Sequence, residues 1–126
     1  MLADDQRIMI VDDEPDILTV LEMYLKKWDF KIDAFASPIL ALEHFEKNSS
    51  TYPVVLTDIR MPGMGGLELA GKLLKIKPDV RIILMTAFDI SPADLQAGML
   101  ALTHQDLIEK PFRLPRICQE IKKRLQ

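Results

Sequence analysis

The feature that most constrains the fold of this sequence is a set of short apolar runs that do not alternate. Ile8-Met9-Ile10-Val11, Val54-Val55-Leu56 and Ile82-Ile83-Leu84-Met85 are continuous, whereas a strand with one wet face would interleave polar residues. Continuous runs of this length suit strands covered on both sides, the pattern of a parallel sheet between layers of helix. Lys31-Ile32-Asp33-Ala34-Phe35 does alternate, and so predicts a strand nearer an edge.

The segments between the runs carry a helical period. Glu14-Pro15-Asp16 opens a first helix, with proline near its first position and acidic residues in its first turn. Its predicted core stripe is Ile17, Leu18, Leu21, Tyr24, Leu25 and Trp28. Ser37-Pro38 starts a second helix through Leu40, Ala41 and Phe45, which Asn48-Ser49-Ser50 ends. A third runs from Gly66 to Lys77 with Leu67, Leu69, Ala70, Leu73, Leu74 and Ile76 as apolar positions, closed by Lys77-Pro78-Asp79. Ser91-Pro92-Ala93-Asp94 is a capped start for a fourth, reaching about Leu102. After a brief fifth strand at Leu107-Ile108, a last helix begins near Pro115 with Leu114, Ile117, Ile121 and Leu125 inward. Five strands alternating with five helices predict a doubly wound α/β domain, and right-handed crossovers in so short a chain favour the flavodoxin-like strand order 2-1-3-4-5. Residues 1–126 are expected to form one domain, with no effector domain among them.

Composition excludes several classes of function. A length of 126 residues with 48% hydrophobic content builds one self-sufficient core. Cys118 is the single cysteine, so no internal disulfide can form and a reducing compartment suits the chain. No apolar run reaches the roughly 18 residues of a membrane span, and Met1-Leu2-Ala3-Asp4-Asp5-Gln6-Arg7 lacks the basic-then-apolar order of a signal peptide. The expectation is a cytoplasmic, soluble protein with no membrane partner. With 16 basic against 19 acidic residues the net charge is −3, which argues against direct binding to nucleic acid. Lys122-Lys123-Arg124 is read as the solvated last turn of a helix, where cations suit the dipole.

The chemistry lies where the strands end. Asp12 and Asp13 follow the first strand, Asp58 ends the third, Thr86 the fourth and Lys110 the fifth, so all five are predicted to meet on the rim where open parallel sheets bind ligands. Three carboxylates held together repel one another and raise the pKa of at least one. Lys110 offsets part of that charge, and an all-oxygen set of carboxylates, a carbonyl and waters suits Mg²⁺ for the rest. Metal and lysine together would screen an incoming phosphoryl group, whose transfer depends mostly on positioning and electrostatics. Asp58, alone at the centre of the rim, is the best nucleophile for an acyl phosphate. Thr86 offers a hydroxyl and Lys110 an ammonium to the phosphoryl oxygens.

Four strings in order resemble the receiver domains of two-component response regulators: Val11-Asp12-Asp13-Glu14-Pro15, Asp58 with Met61-Pro62-Gly63-Met64 and Gly66, Thr86-Ala87, and Lys110-Pro111-Phe112. The resemblance extends from about Arg7 to Leu125 and implies a phosphorylation-dependent switch rather than an enzyme. It implies that Asp58 accepts a phosphoryl group from a sensor histidine kinase or phosphotransfer protein. Asp12 and Asp13 would be the acidic pair for Mg²⁺, Asp13 the direct ligand, with Asp58 and the Arg60 backbone carbonyl completing the protein ligands. Thr86 would be the switch hydroxyl and Lys110 the counter-ion. The Lys110-Pro111 bond is similar to one that is cis in the family, and Arg60 matches a position that influences how long the phosphoryl group survives.

The sequence also departs from the family pattern. Leu107 stands where receivers usually carry the Tyr or Phe that swings on activation, the interval from Thr86 to Lys110 is about two residues longer than is usual in the family, and Ala101-Leu102-Thr103-His104 replaces the familiar Ala-Gly-Ala. These changes fall on the predicted fourth helix and fifth strand, which with the last helix form the face through which receivers commonly reach an output domain or downstream protein. Met99, Leu100 and Leu102 would add apolar surface there, and His104 reads as a loop residue. Three other readings compete. A haloacid-dehalogenase phosphohydrolase would need its nucleophile in an Asp-x-Asp string after strand one. A flavodoxin would need a Ser/Thr/Gly-rich phosphate loop in place of Asp12-Asp13-Glu14. A receiver-like binding module that no longer switches is favoured only by Leu107.

Overall fold

The first strand, β1 (Ile8–Val11), is buried at all four positions, and its side chains divide by parity: Ile8 and Ile10 enter one core cluster, Met9 and Val11 another. A continuous apolar run therefore serves two cores at once, because successive side chains point to opposite faces of a sheet. The computed structural model describes residues 6–86, 107–110 and 113–125. β2 (Ile32–Phe35), β3 (Val54–Asp58), β4 (Arg81–Thr86) and β5 (Leu107–Glu109) join β1 in a parallel sheet of order β2-β1-β3-β4-β5. This is the flavodoxin-like order that the alternation predicts.

Helices α1 (Pro15–Lys26) and α4 (Leu114–Leu125) cover one face, placing Leu21, Leu25, Ile117 and Ile121 against Ile8, Ile10, Leu56 and Ile83. On the other, α2 (Pro38–Asn48) and α3 (Gly66–Ile76) set Phe45, Leu69 and Leu73 against Met9, Val55 and Ile82. These are four α-helices among the described residues, with a short 3-10 turn at Ser49–Thr51 after α2. The expected helix near residues 91–102 lies outside them, as do Met99, Leu100, Leu102, His104 and Pro111. Ser37 caps α2 as its residue type suggests, its Oγ accepting the Leu40 N–H at 3.2 Å. No helix among the described residues is long and apolar enough to cross a membrane.

Three expectations need correction. Trp28 is 51% exposed rather than core: α1 ends at Lys26 and the chain turns through Asp29 at φ 65°, so Trp28 has left the helical stripe. The Lys122 ammonium covers its ring at 4.8 Å from the centroid, a cation–π contact that ties the ends of α1 and α4 together. Leu40 and Ile76, near the ends of their helices, are exposed as well. Nor is the last turn of α4 fully solvated, since Arg124 Nη1 lies 2.8 Å from Oε1 of the buried Glu120.

The loop after β3 shows why glycine is needed. Gly63 sits at φ +83°, in the left-handed region. Gly66 begins α3 directly on the backbone of β3, its N–H donating to the Ile59 carbonyl at 2.7 Å. A Cβ on Gly66 would lie 2.0 Å from the Asp58 carbonyl oxygen. Gly66→Ala is therefore expected to push α3 off the end of β3 and cost about 2 kcal/mol or more of stability, read as a lower denaturant midpoint at unchanged m-value.

At the opposite end of the sheet, the Tyr52 hydroxyl donates to Asp33 Oδ2 at 2.5 Å and Arg7 Nε donates to the same oxygen at 2.7 Å. Burial pushes the Asp33 carboxyl up, but the hydrogen bonds from Arg7 and Tyr52 outweigh it and leave its pKa below the ordinary value. A depressed carboxyl contributes stability that is present above its unfolded pKa, about 3.9, and lost as pH falls through the folded value. Stability should thus decline more steeply below about pH 4 in the wild type than in Asp33→Asn, measured by denaturant melts across the acid range.

Candidate functional site

β1 and β3 are paired in register from Ile8 with Val54 to Val11 with Thr57, so the next residue on each, Asp12 and Asp58, emerges at the same rim. Asp58 is itself the last residue of β3, paired with Met85 of β4, and the following Thr86 is paired with Glu109 of β5. Lys110 comes directly after β5, its backbone N–H donating to the Thr86 carbonyl at 2.6 Å. The parallel order thus gathers Asp12, Asp58, Thr86 and Lys110 from four strand ends. Asp12, Asp58 and Thr86 are all buried.

Lys110 is the hub of the charges. Its Nζ lies 3.2 Å from Asp12 Oδ2, 3.6 Å from Asp58 Oδ2 and 3.6 Å from Glu14 Oε1. Among the described residues, carboxylate oxygens of Asp12, Glu14 and Asp58 come within 4.8 Å of one another, a set able to hold a metal ion. Asp13 is not in that set, though its charge still acts on Asp58. Burial first, then the charges of Asp12 and Asp13, push the Asp58 carboxyl above the ordinary range against the pull of Lys110 and of the Ile59 N–H, which donates to Asp58 Oδ1 at 3.0 Å. Burial works against the Lys110 ammonium, but Asp12 and Asp58 outweigh it and its pKa lies above the ordinary lysine value. Among the described residues the site is short of positive charge: one largely covered ammonium faces several carboxylates.

A family model described as the response regulator receiver domain matches residues 8–122. This chain belongs to the response-regulator receiver domains. They are phosphorylation-dependent signalling switches of two-component systems. The receiver is 33% identical over 116 residues to the C4-dicarboxylate transport transcriptional regulatory protein DctD of Rhizobium meliloti, covering 92% of this chain but only 24% of that one. It is 32% identical over 124 residues to sporulation initiation phosphotransferase F of Bacillus subtilis, covering 96% and 94% of the two chains. Among solved structures it is similar to the response regulator TrrA of Thermotoga maritima in complex with Mg²⁺-BeF, at 35% identity and a TM-score of 0.78, over 94% of this chain and 98% of the other.

Of the residues singled out from sequence, Asp12, Asp58, Thr86 and Lys110 converge in the receiver. Asp13 is half-buried one residue on, and Arg60 is exposed two residues beyond Asp58. Leu107 opens β5, half-buried, and packs against the cluster that holds Leu84. Glu14 is the member that sequence reading missed as part of the site. The sequence reading has Glu14 open a helix and stand in the Val11-Asp12-Asp13-Glu14-Pro15 string, without a role of its own in the site. Its side chain makes no capping hydrogen bond to α1; instead Asp12 Oδ1 accepts the Glu14 N–H at 2.9 Å.

Because the folded Asp58 pKa is raised, the native state at neutral pH carries an ionised group that burial and neighbouring acids disfavour, and the penalty disappears as pH falls through the raised value. Asp58→Asn is expected to raise Tm by about 2–5 °C at neutral pH without divalent cations. That gain should shrink in acid and when Mg²⁺ is added. A lower Tm for the variant at pH 7 in chelator would contradict the electrostatic account.

Proposed function

We propose that Asp58 is the phosphoacceptor of this receiver, taking a phosphoryl group from a phosphohistidine on a sensor kinase or phosphotransfer protein. The observation that carries this is the juxtaposition of a buried, electrostatically strained carboxylate with the Lys110 ammonium at 3.6 Å, on the rim of a parallel sheet. An Asp58 carboxylate oxygen forms the new bond to phosphorus while the P–N bond of the donor breaks, its electron pair leaving with the imidazole, which takes up a proton. Lys110 pairs with a phosphoryl oxygen, and the Thr86 hydroxyl donates to another.

The hard oxygen donors of Asp12, Glu14 and Asp58 fit a divalent cation of the Mg²⁺ kind, with Asp13 and the Arg60 carbonyl as the further ligands implied by the family pattern. When bound, the ion supplies two positive charges against the carboxylates and the phosphoryl oxygens. Phosphorylation then favours one of two conformations by drawing Thr86 and Lys110 towards the phosphate. Arg60 stands at the position, two residues after Asp58, that in the family influences how long the phosphoryl group survives. Pro111 remains the candidate cis residue, and Leu107 an aliphatic replacement for the usual aromatic switch.

We read residues 1–126 as a single cytoplasmic receiver that signals to an output domain or downstream protein through β5, α4 and the segment before β5. Its catalysis is limited to its own phosphotransfer and dephosphorylation, without direct nucleic-acid or membrane binding.

The test is an intact-mass comparison after incubation with Mg²⁺ and acetyl phosphate. Wild type should gain one alkali-labile phosphoryl group and Asp58→Asn none. Lys110→Ala should still be modified, yet lose the change in amide NMR that beryllofluoride induces in the wild type. Modification of Asp58→Asn at a comparable rate would remove Asp58 from its role.

A further inference from the structure

Among the described residues the rim holds a third acceptor for Lys110, Glu14, to which the sequence pattern assigns no role in the site. Glu14 occupies the N-cap of α1, a place where Ser, Thr, Asp and Asn are favoured because their short side chains accept a hydrogen bond from the first turn. Its carboxylate makes no such bond and instead comes to 3.6 Å from Lys110 Nζ. Of the three acceptors around that ammonium, Asp12 and Asp58 have side chains only 0% and 9% exposed, whereas Glu14 is 60% exposed. Asp12 and Asp58 cannot turn away without leaving a charge buried and unpaired. Glu14 can swing into water at little cost, since an ion pair with so exposed a partner is weak.

We propose that Glu14 is a positioning residue for Lys110: it shares the ammonium in the unphosphorylated site and releases it to the incoming phosphoryl group, so its charge sets how readily small anionic donors are used. The inference rests on the reading of Asp58 as acceptor. An arriving phosphoryl group brings negative charge to the place where Lys110 is already divided among three carboxylates. One of them must let go, and the exposed one does so at least cost. Until it does, Glu14 both holds the cation back and repels the donor.

The experiment measures initial rates of Asp58 phosphorylation against acetyl phosphate concentration, at saturating Mg²⁺ and low ionic strength, for the full chain and its variants. With Mg²⁺ raised until each variant is saturated, the half-saturating acetyl phosphate concentration for Glu14→Gln and Glu14→Asn should fall about threefold to tenfold, and the difference should narrow as salt is added. Glu14→Asp, which keeps the charge, should stay near wild type. Asparagine is a favoured N-cap, so Glu14→Asn should melt at or above the wild-type temperature, which separates the kinetic effect from a loss of folding. In a Lys110→Ala background Glu14→Gln should change the half-saturating concentration no further. An equal effect in that background would overturn the route through Lys110, leaving plain repulsion. Unchanged kinetics in Glu14→Gln and Glu14→Asn, in a preparation whose wild type is phosphorylated on Asp58, would overturn the proposal alone. Failure of the wild type to accept a phosphoryl group on Asp58 would instead overturn the acceptor assignment and the proposal with it.

Discussion

Two carboxylates buried at neighbouring strand ends, with one lysine to offset them, are the constraint on which the rest of this structure depends. Asp12 and Asp58 follow from the register of β1 against β3, and their burial follows from the helices that close over both faces of the sheet. An ionised carboxylate in such a place is tolerated only when it is paired or hydrogen-bonded. The cation comes from 98 residues beyond Asp12, delivered only when β5 has docked on β4. Completing the sheet at its edge and neutralising the acids at its centre are therefore one event. The neutralisation is still partial, because Asp58 remains above the ordinary carboxyl range. A site left short of positive charge is one that gains from binding a cation.

The same economy governs the backbone around the acceptor. α3 starts so close to β3 that only glycine fits at position 66, and the contact fixes the Asp58 carbonyl against the helix start. The Ile59 N–H holds one carboxylate oxygen while the other faces Lys110. The two oxygens of Asp58 are thus distinguished by their surroundings before any ligand arrives, the kind of preorganisation from which polar catalysis draws most of its effect. At the far end of the sheet, Tyr52 and Arg7 converge on Asp33 and tie β2 to the segments entering β1 and β3. That end is closed and paired, while the rim end is open and contested, which is a division between anchor and site.

What the sequence revealed, and what it hid, follows from the range of the interactions involved. The apolar runs carried the strands, because parity and burial are properties of neighbouring residues, whereas their order was chosen from the few that right-handed crossovers allow. Asp58, Thr86 and Lys110 were legible because each ends a run, so a one-dimensional pattern places them on a common rim. Trp28 was misread because its spacing fits the stripe of α1, and nothing local marks that the helix stops two residues earlier, at Lys26. Its cover, Lys122, arrives from the opposite end of the chain. Glu14 was hidden for a related reason. Its position announces a helix start, and only the arrival of Lys110 turns it into part of the site. Residues whose role is set by a distant partner cannot be assigned from their own neighbourhood, and Arg124, paired with Glu120 rather than solvated, shows that even a partner four residues away can be missed.

The edge strand links chemistry to the remainder of the fold in an economical way. β5 has three residues, and directly beyond it the Lys110 N–H is bonded to the Thr86 carbonyl. On the reading of Asp58 as acceptor, the hydroxyl and the counter-ion that answer the phosphoryl group belong to residues joined by a backbone hydrogen bond, so a backbone shift at one is felt at the other. At the start of the same strand Leu107 lies half-buried beside Leu84 and its cluster. An aliphatic side chain there has no ring to swing between an inner and an outer position. Leu107 instead packs against the cluster that holds Leu84, the β4 residue with which it pairs, so this end of β5 is held to β4 by apolar contact as well as by the ladder.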